Sequence, residues 1–157
     1  MKRIITLASL ACFLGAPAVL RAQNEAGTWK LNTAKSKYSG VATPKSRTQT
    51  LEAADGGHKA RVEGVAGDGS PINYSYSAKY DGKDNPITGG GAPGAADSVA
   101  WKRVDANTTE ATYKKGGKVV STARLSISKD GKTMSTTAKG VGPDGKPNNV
   151  HAVYEKQ

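Results

Sequence analysis

Few residues in this 157-residue chain have the types and spacing that chemistry requires. Its two histidines, His58 and His151, lie far apart, and neither has a second ligand at short spacing. The aspartates recur in Asp-Gly pairs, as at Asp55 and Asp68. In such pairs the carboxylate serves the backbone of a turn, and the repeated acidic positions of a calcium loop are missing. Neither a metal nor any other cofactor is expected. No Gly-x-Ser-x-Gly elbow is present. The glycine-rich "TGGGAPG", 88–94, precedes no helix, so it fails as a phosphate cradle and reads as a flexible loop at a barrel mouth. Catalytic residues are none, and the chain is not expected to be an enzyme.

Binding residues are easier to find. In "INYSYSAKY" the residues Ile72, Tyr74, Tyr76, Ala78 and Tyr80 alternate with polar ones, which is the period of a half-buried strand. The tyrosines bring apolar area with hydroxyls at the tips. Trp101, Tyr113 and Tyr154 are expected to face the same space. Arg103 shares the face of Trp101 and is the candidate for a charge that meets an acidic head group. Two readings stay open for these side chains: the lining of a ligand pocket, or simply a packed core.

Strands and turns must position them. Tight-turn signals stand at "ADGGH" 54–58, "GDGSP" 67–71, "YDGKD" 80–84, "VDANT" 104–108, "KGGKV" 115–119, "KDGKT" 129–133 and "PDGKP" 143–147. Asp-Gly and Gly-Gly supply the positive φ that hairpins need. Between them run alternating segments: Val119, Ala123, Leu125 and Ile127 on one side of "VVSTARLSIS"; Val99, Trp101 and Arg103; Val150, Ala152 and Tyr154. Ten strands are expected, near 27–32, 46–54, 59–66, 71–80, 85–88, 97–104, 109–115, 118–128, 133–141 and 148–156. One short helical turn is expected over 32–38, where Asn32 or Thr33 can cap. A meander of hairpins leaves unpaired edges unless it closes. The fold class is therefore all-β, an antiparallel up-and-down meander barrel of about 8–10 strands.

The N-terminus is read separately. Lys2 and Arg3 precede an apolar run, 4–14, then Gly15-Ala16-Pro17 and the small Ala22. This is the layout of a secretory signal peptide, and the run is too short to span a bilayer. "SLAC", 9–12, is a loose lipoprotein box, but the apolar run continues past Cys12. Residues 1–22 are expected to leave as a signal, and 23–157 to form a single domain without cysteine, periplasmic or secreted. That domain carries 20 basic and 13 acidic residues. The charges are scattered in ones and twos, which favours an anionic membrane surface or envelope polymer over nucleic acid. It has three leucines, three isoleucines, ten valines, one methionine and no phenylalanine. That is a thin supply for a solid interior, and barrels of this size can instead hold one small ligand.

"GTWKL", Gly27 to Leu31, together with the hairpin meander and the final "VYEK", Val153 to Lys156, resembles the calycin superfamily of lipocalins, fatty-acid-binding proteins and their bacterial relatives. "WKLN…KSK" and "YDGK" also resemble a group of small exported bacterial proteins. The resemblance implies that Trp29 plugs the closed end of the barrel. Gly27 would permit a close approach there, and a basic side chain, Lys156 or Arg124, would pack over the indole. Arg103 is a further candidate for that cation. Two departures stand out. The carboxylate-holding arginine of fatty-acid-binding proteins would fall at Ala152, and 32–46 is too rich in Gly, Pro and Ser for a helical lid. The expectation is an exported, monomeric barrel that binds a small hydrophobic or amphipathic ligand without chemistry. The alternative is an envelope-associated interaction or inhibitor-like module with a filled core.

Overall fold

The computed structural model describes residues 25–142 and 144–157. The segment read as a signal, 1–22, with Cys12, lies outside the described residues. The strands are β1 (Gly27–Ser39), β2 (Ser46–Ala54), β3 (Gly57–Val65), β4 (Pro71–Lys79), β5 (Asp81–Pro86), β6 (Thr88–Gly90), β7 (Ser98–Arg103), β8 (Thr108–Lys115), β9 (Lys118–Ile127), β10 (Thr133–Val141) and β11 (Pro147–Lys156), with a 3-10 turn at Pro93–Ala95. All pairings are antiparallel, and the sheet order is β5-β7-β8-β9-β10-β11-β1-β2-β3-β4-β6.

The two ends of that order, β5 and β6, are consecutive in the chain, separated only by Ile87. They form one ribbon that changes partner midway. Its first half pairs with β7, as Asn85 opposite Val99. Its second half pairs with β4, as Tyr74 opposite Gly89. At the switch the Ile87 N–H donates to the Asp97 carbonyl at 2.9 Å. Counted this way the barrel has ten staves, and the backbone itself closes the ring. The first and last strands lie side by side, with Trp29 opposite Lys156 and Leu31 opposite Tyr154. Closure satisfies edge groups that an open meander would expose.

Three local expectations are corrected. No helical turn forms over 32–38, because β1 stays extended and bulges. It spends five steps from Asn32 to Lys37 while β11 spends two, from Val153 to His151. Asn32 does cap locally, its Oδ1 accepting the Lys35 N–H at 3.1 Å. The Ser36 hydroxyl, however, takes the Val153 N–H at 2.9 Å and ties the bulge to the sheet. The strand expected at 85–88 is longer and divided at Ile87. Val119 does not join the buried face of β9 but is 57% exposed; it lies beyond the irregularity in the β8–β9 register at Tyr113/Lys114, at the rim. Burial alternates most cleanly in β4, which buries Ile72, Tyr74, Tyr76 and Ala78, whereas β7 buries Val99, Ala100 and Trp101 in succession and β11 Ala152, Val153 and Tyr154.

Strand directions give the barrel two ends. The closed end carries Glu25, the turns at 55–56, 80, 104–107 and 128–132, and the C-terminus. The open end carries the connections 40–45, 66–70, 91–97, 116–117 and 142–146.

Candidate ligand-binding interior

At the closed end β1 delivers Trp29, which is fully buried. Its Nε1–H donates to the Glu25 carbonyl at 2.9 Å. The Lys156 ammonium stands 5.2 Å from the ring centroid, a cation over an aromatic face. Gly27 makes room for it. Its φ is +135°, and a Cβ there would come within 2.6 Å of Lys156 Cε. Arg124 is elsewhere, paired with Glu110 at 2.7 Å on exposed surface.

Arg103 is not over Trp29 either. It donates to Glu25 Oε1 at 2.9 Å and lies over the Tyr80 ring, 4.1 Å from its centroid. The Tyr80 hydroxyl donates to the other oxygen of Glu25. Because that single proton is committed, His58 Nδ1, 3.0 Å away, must donate to Tyr80. Nε2 is then left to accept from the Tyr76 hydroxyl at 3.4 Å. This requires a neutral imidazole. Burial, reinforced by the positive Arg103, lowers the His58 pKa from 6.5 to about 4. The edge of His58 meets Trp101 at 4.8 Å and 83°. Burial, and then the Glu25 carboxylate, raise the Tyr80 pKa and keep its phenol protonated.

The middle of the barrel is aromatic. Tyr76 stacks between Trp101, at 6.2 Å, and Tyr74, at 6.5 Å. A void of about 10 Å³ lies among Glu25, Gln49, His58, Tyr76, Trp101 and Met134, about the room of one water molecule. The Trp101 indole N–H is buried without a partner. The aromatic side chains around it are buried in one continuous core cluster.

At the open end the inner face of β2 delivers Arg47. Its Nη2 donates to the Tyr74 hydroxyl at 2.6 Å, and the guanidinium lies 5.8 Å from that ring's centroid. Burial is the largest influence on Arg47 and opposes its charge; the oxygens of Tyr154, Tyr74, Tyr113 and Tyr38 act the other way, and the balance keeps it protonated. Part of the residue remains open to solvent, yet its Nε is sealed and has no partner. Among the described residues no carboxylate pairs with it. Burial raises the pKa of Tyr74, Tyr76 and Tyr113, so all three are neutral hydroxyls at ordinary pH.

The candidates from sequence thus fall into two groups. Tyr74, Tyr113 and Tyr154 gather near Arg47. Tyr80 and Arg103 belong to the closed end with Trp29 and Gly27, and Tyr76 and Trp101 lie between. Sequence reasoning missed Arg47, Tyr38, Glu25 and His58. Arg47 was accessible: in "SRTQTLEAA" it shares parity with Gln49 and Leu51, both buried. Glu25 precedes the first strand and has no periodic signal.

No family model and no curated protein matches the sequence. Among solved structures, the chain is similar to zebrafish ileal bile acid-binding protein complexed with cholic acid, with a TM-score of 0.52 and 9% identity over 85% of this chain and 99% of that one. It also matches a redesigned β-barrel, mFAP1, bound to DFHBI, with a TM-score of 0.44 and 13% identity over 87% of this chain and 98% of that one. What the chain shares with the zebrafish protein is the fold, an all-β antiparallel barrel.

Proposed function

We propose that this chain is an exported calycin-like barrel that binds a small amphipathic acid in its interior, entering through the open end, and performs no chemistry on it. The observation that carries this reading is Arg47. A guanidinium drawn into a barrel with a sealed, unpartnered Nε and no carboxylate is costly, and the cost is relieved when an anion arrives. Carboxylate oxygens suit the fork of an arginine, and the hydroxyls of Tyr38, Tyr74, Tyr113 and Tyr154 can donate to the same head group. The Tyr74–Tyr76–Trp101 stack offers an apolar wall behind it. Although Ala152 cannot supply a charge, Arg47 reaches Tyr154 from β2 instead. The fold neighbour from zebrafish was solved with cholic acid, an amphipathic acid, which accords with the reading.

The void of about 10 Å³ beside the stack adds a condition: the tyrosines must move aside when a ligand enters. Titration of the protein with oleic and cholic acids, followed by tryptophan fluorescence and melting temperature, tests this. A saturable response is expected, weakened at least about tenfold in Arg47→Met, as suits the loss of a charge-assisted contact. If a panel of amphipathic acids moves neither signal, the second reading takes its place. That reading, a filled barrel acting as an interaction module, is favoured by the void of only about 10 Å³. Export is tested by the mass of the protein recovered from periplasm and medium, expected to begin at Gln23.

A further inference from the structure

The open rim carries a second feature that the interior site does not use. Among the described residues four large apolar side chains are well exposed: Val41, Val104, Val119 and Val141. Val104 is at the closed end; the other three are at the open rim, on neighbouring strand ends and connections. Ser121 pairs with Gly140, which sets Val119 and Val141 at the ends of neighbouring strands. A Cβ on Gly142 would stand 3.6 Å from the Gly40 carbonyl oxygen, so the connection bearing Val41 lies against the one that follows Val141. The 3-10 turn packs beside them, Gly94 against Val120.

Charge singles out the same end. Lys45, Lys115, Lys118, Lys139 and Lys146, all exposed, flank the open-end connections, against Asp68, Asp97 and Asp144. Lys115 leans toward Asp97 at 3.7 Å and Lys146 toward Asp144 at 3.5 Å, while Lys45, Lys118 and Lys139 have no ion pair among the described residues. In the closed-end turns Lys79, Lys83, Lys129 and Lys132 are balanced by Asp55, Asp81, Asp105 and Asp130.

We propose that this rim docks reversibly on an anionic lipid surface, the valines entering the headgroup boundary and the lysines meeting the lipid phosphates. Apolar side chains ringed by lysine are the composition that holds peripheral proteins at such interfaces. Three valines alone give weak insertion, so charge attraction must supply most of the affinity, and the contact must loosen with salt. The docking is independent of whether the interior takes a ligand, because Arg47 and the tyrosines are not part of it.

Co-sedimentation with vesicles of phosphatidylcholine alone, and with 40% phosphatidylglycerol, tests it (about 40% gives a strongly negative surface). Binding is expected only to the anionic vesicles. Lys115→Gln, Lys118→Gln and Lys146→Gln together should lower partitioning by about 100-fold, as three surface lysines would. Val41→Ser, Val119→Ser and Val141→Ser, which leave charge unchanged, should lower it several-fold further at a salt concentration where the parent still binds. Lys79→Gln, Lys129→Gln and Lys132→Gln at the closed end should change it little. Three results overturn the proposal: no sedimentation with anionic vesicles, equal loss from lysine changes at either end, or competition by a soluble anionic polysaccharide with no effect of the valine changes. The last would assign the rim to a polymer. Far-UV circular dichroism of each variant separates loss of docking from loss of fold.

Discussion

The two ends of the barrel each draw an arginine inward, and they treat it in opposite ways. At the closed end Arg103 meets Glu25 and the Tyr80 ring, and Tyr80, His58 and Tyr76 extend the hydrogen bonding. Its charge is answered from within the chain. At the open end Arg47 has tyrosine hydroxyls about it but no anion, and one buried N–H has no partner. A polar network completed by the chain itself stabilises and rigidifies, while one left incomplete is a place where a ligand can bind. The comparison places an internally answered charge at one end and, on the function proposed above, recognition at the other.

The comparison breaks most decisively at Trp29. Trp29→Ala removes a fully buried indole at the closed end and should cost about 3–5 kcal/mol in chemical denaturation. Trp101, 3% exposed between Tyr76 and His58, should cost a similar amount. A much smaller loss for either would show that its part of the barrel is loosely packed.

Acid tests the next largest effect. His58 is neutral in the fold, with a pKa of about 4, while the unfolded histidine protonates near 6.5. Between these values the unfolded chain binds more protons. Stability is therefore fully present above pH 6.5 and falls as pH drops toward 4, by about 3 kcal/mol in total. Urea midpoints across this window should show the slope, and His58→Gln should flatten it. An unchanged slope would place the acid sensitivity in other groups.

Glu25→Gln leaves Arg103 half-satisfied and should cost about 1.5–3 kcal/mol, the range for hydrogen bonds to charged groups. The smallest effect is expected from Arg47→Met. It removes an uncompensated charge and should change stability by less than about 1 kcal/mol, or increase it. If Arg47→Met destabilised as much as Glu25→Gln, the open-end arginine would be structural and the contrast between the ends would fail.

Much of this architecture was legible in the residues. Alternation in "INYSYSAKY" identified the buried face of β4 because a strand has only two faces and water occupies one of them. Asp-Gly and Gly-Gly pairs marked the hairpins because few other residues adopt the positive φ those turns require. The candidate site was less legible. Tyr74 on β4 and Tyr80 in the turn just after it share parity in the sequence, yet they serve opposite ends, since distance along the chain says nothing about what faces a residue across the barrel. Arg103 was legible as inward-facing, but its partner, Glu25, is 78 residues away. The bulge at Asn32–Lys37 escaped notice because a local capping pattern suggests a helical turn, and only pairing with β11 keeps the backbone extended.

By itself the sequence determined the class of fold and the place where its ends meet, because turn chemistry and side-chain alternation are local properties. Only the tertiary structure decided which charges are answered, how full the interior is, and that the ring closes by one ribbon changing partners at Ile87. These depend on the register of staves distant in the chain, and strand register is set by the whole barrel at once.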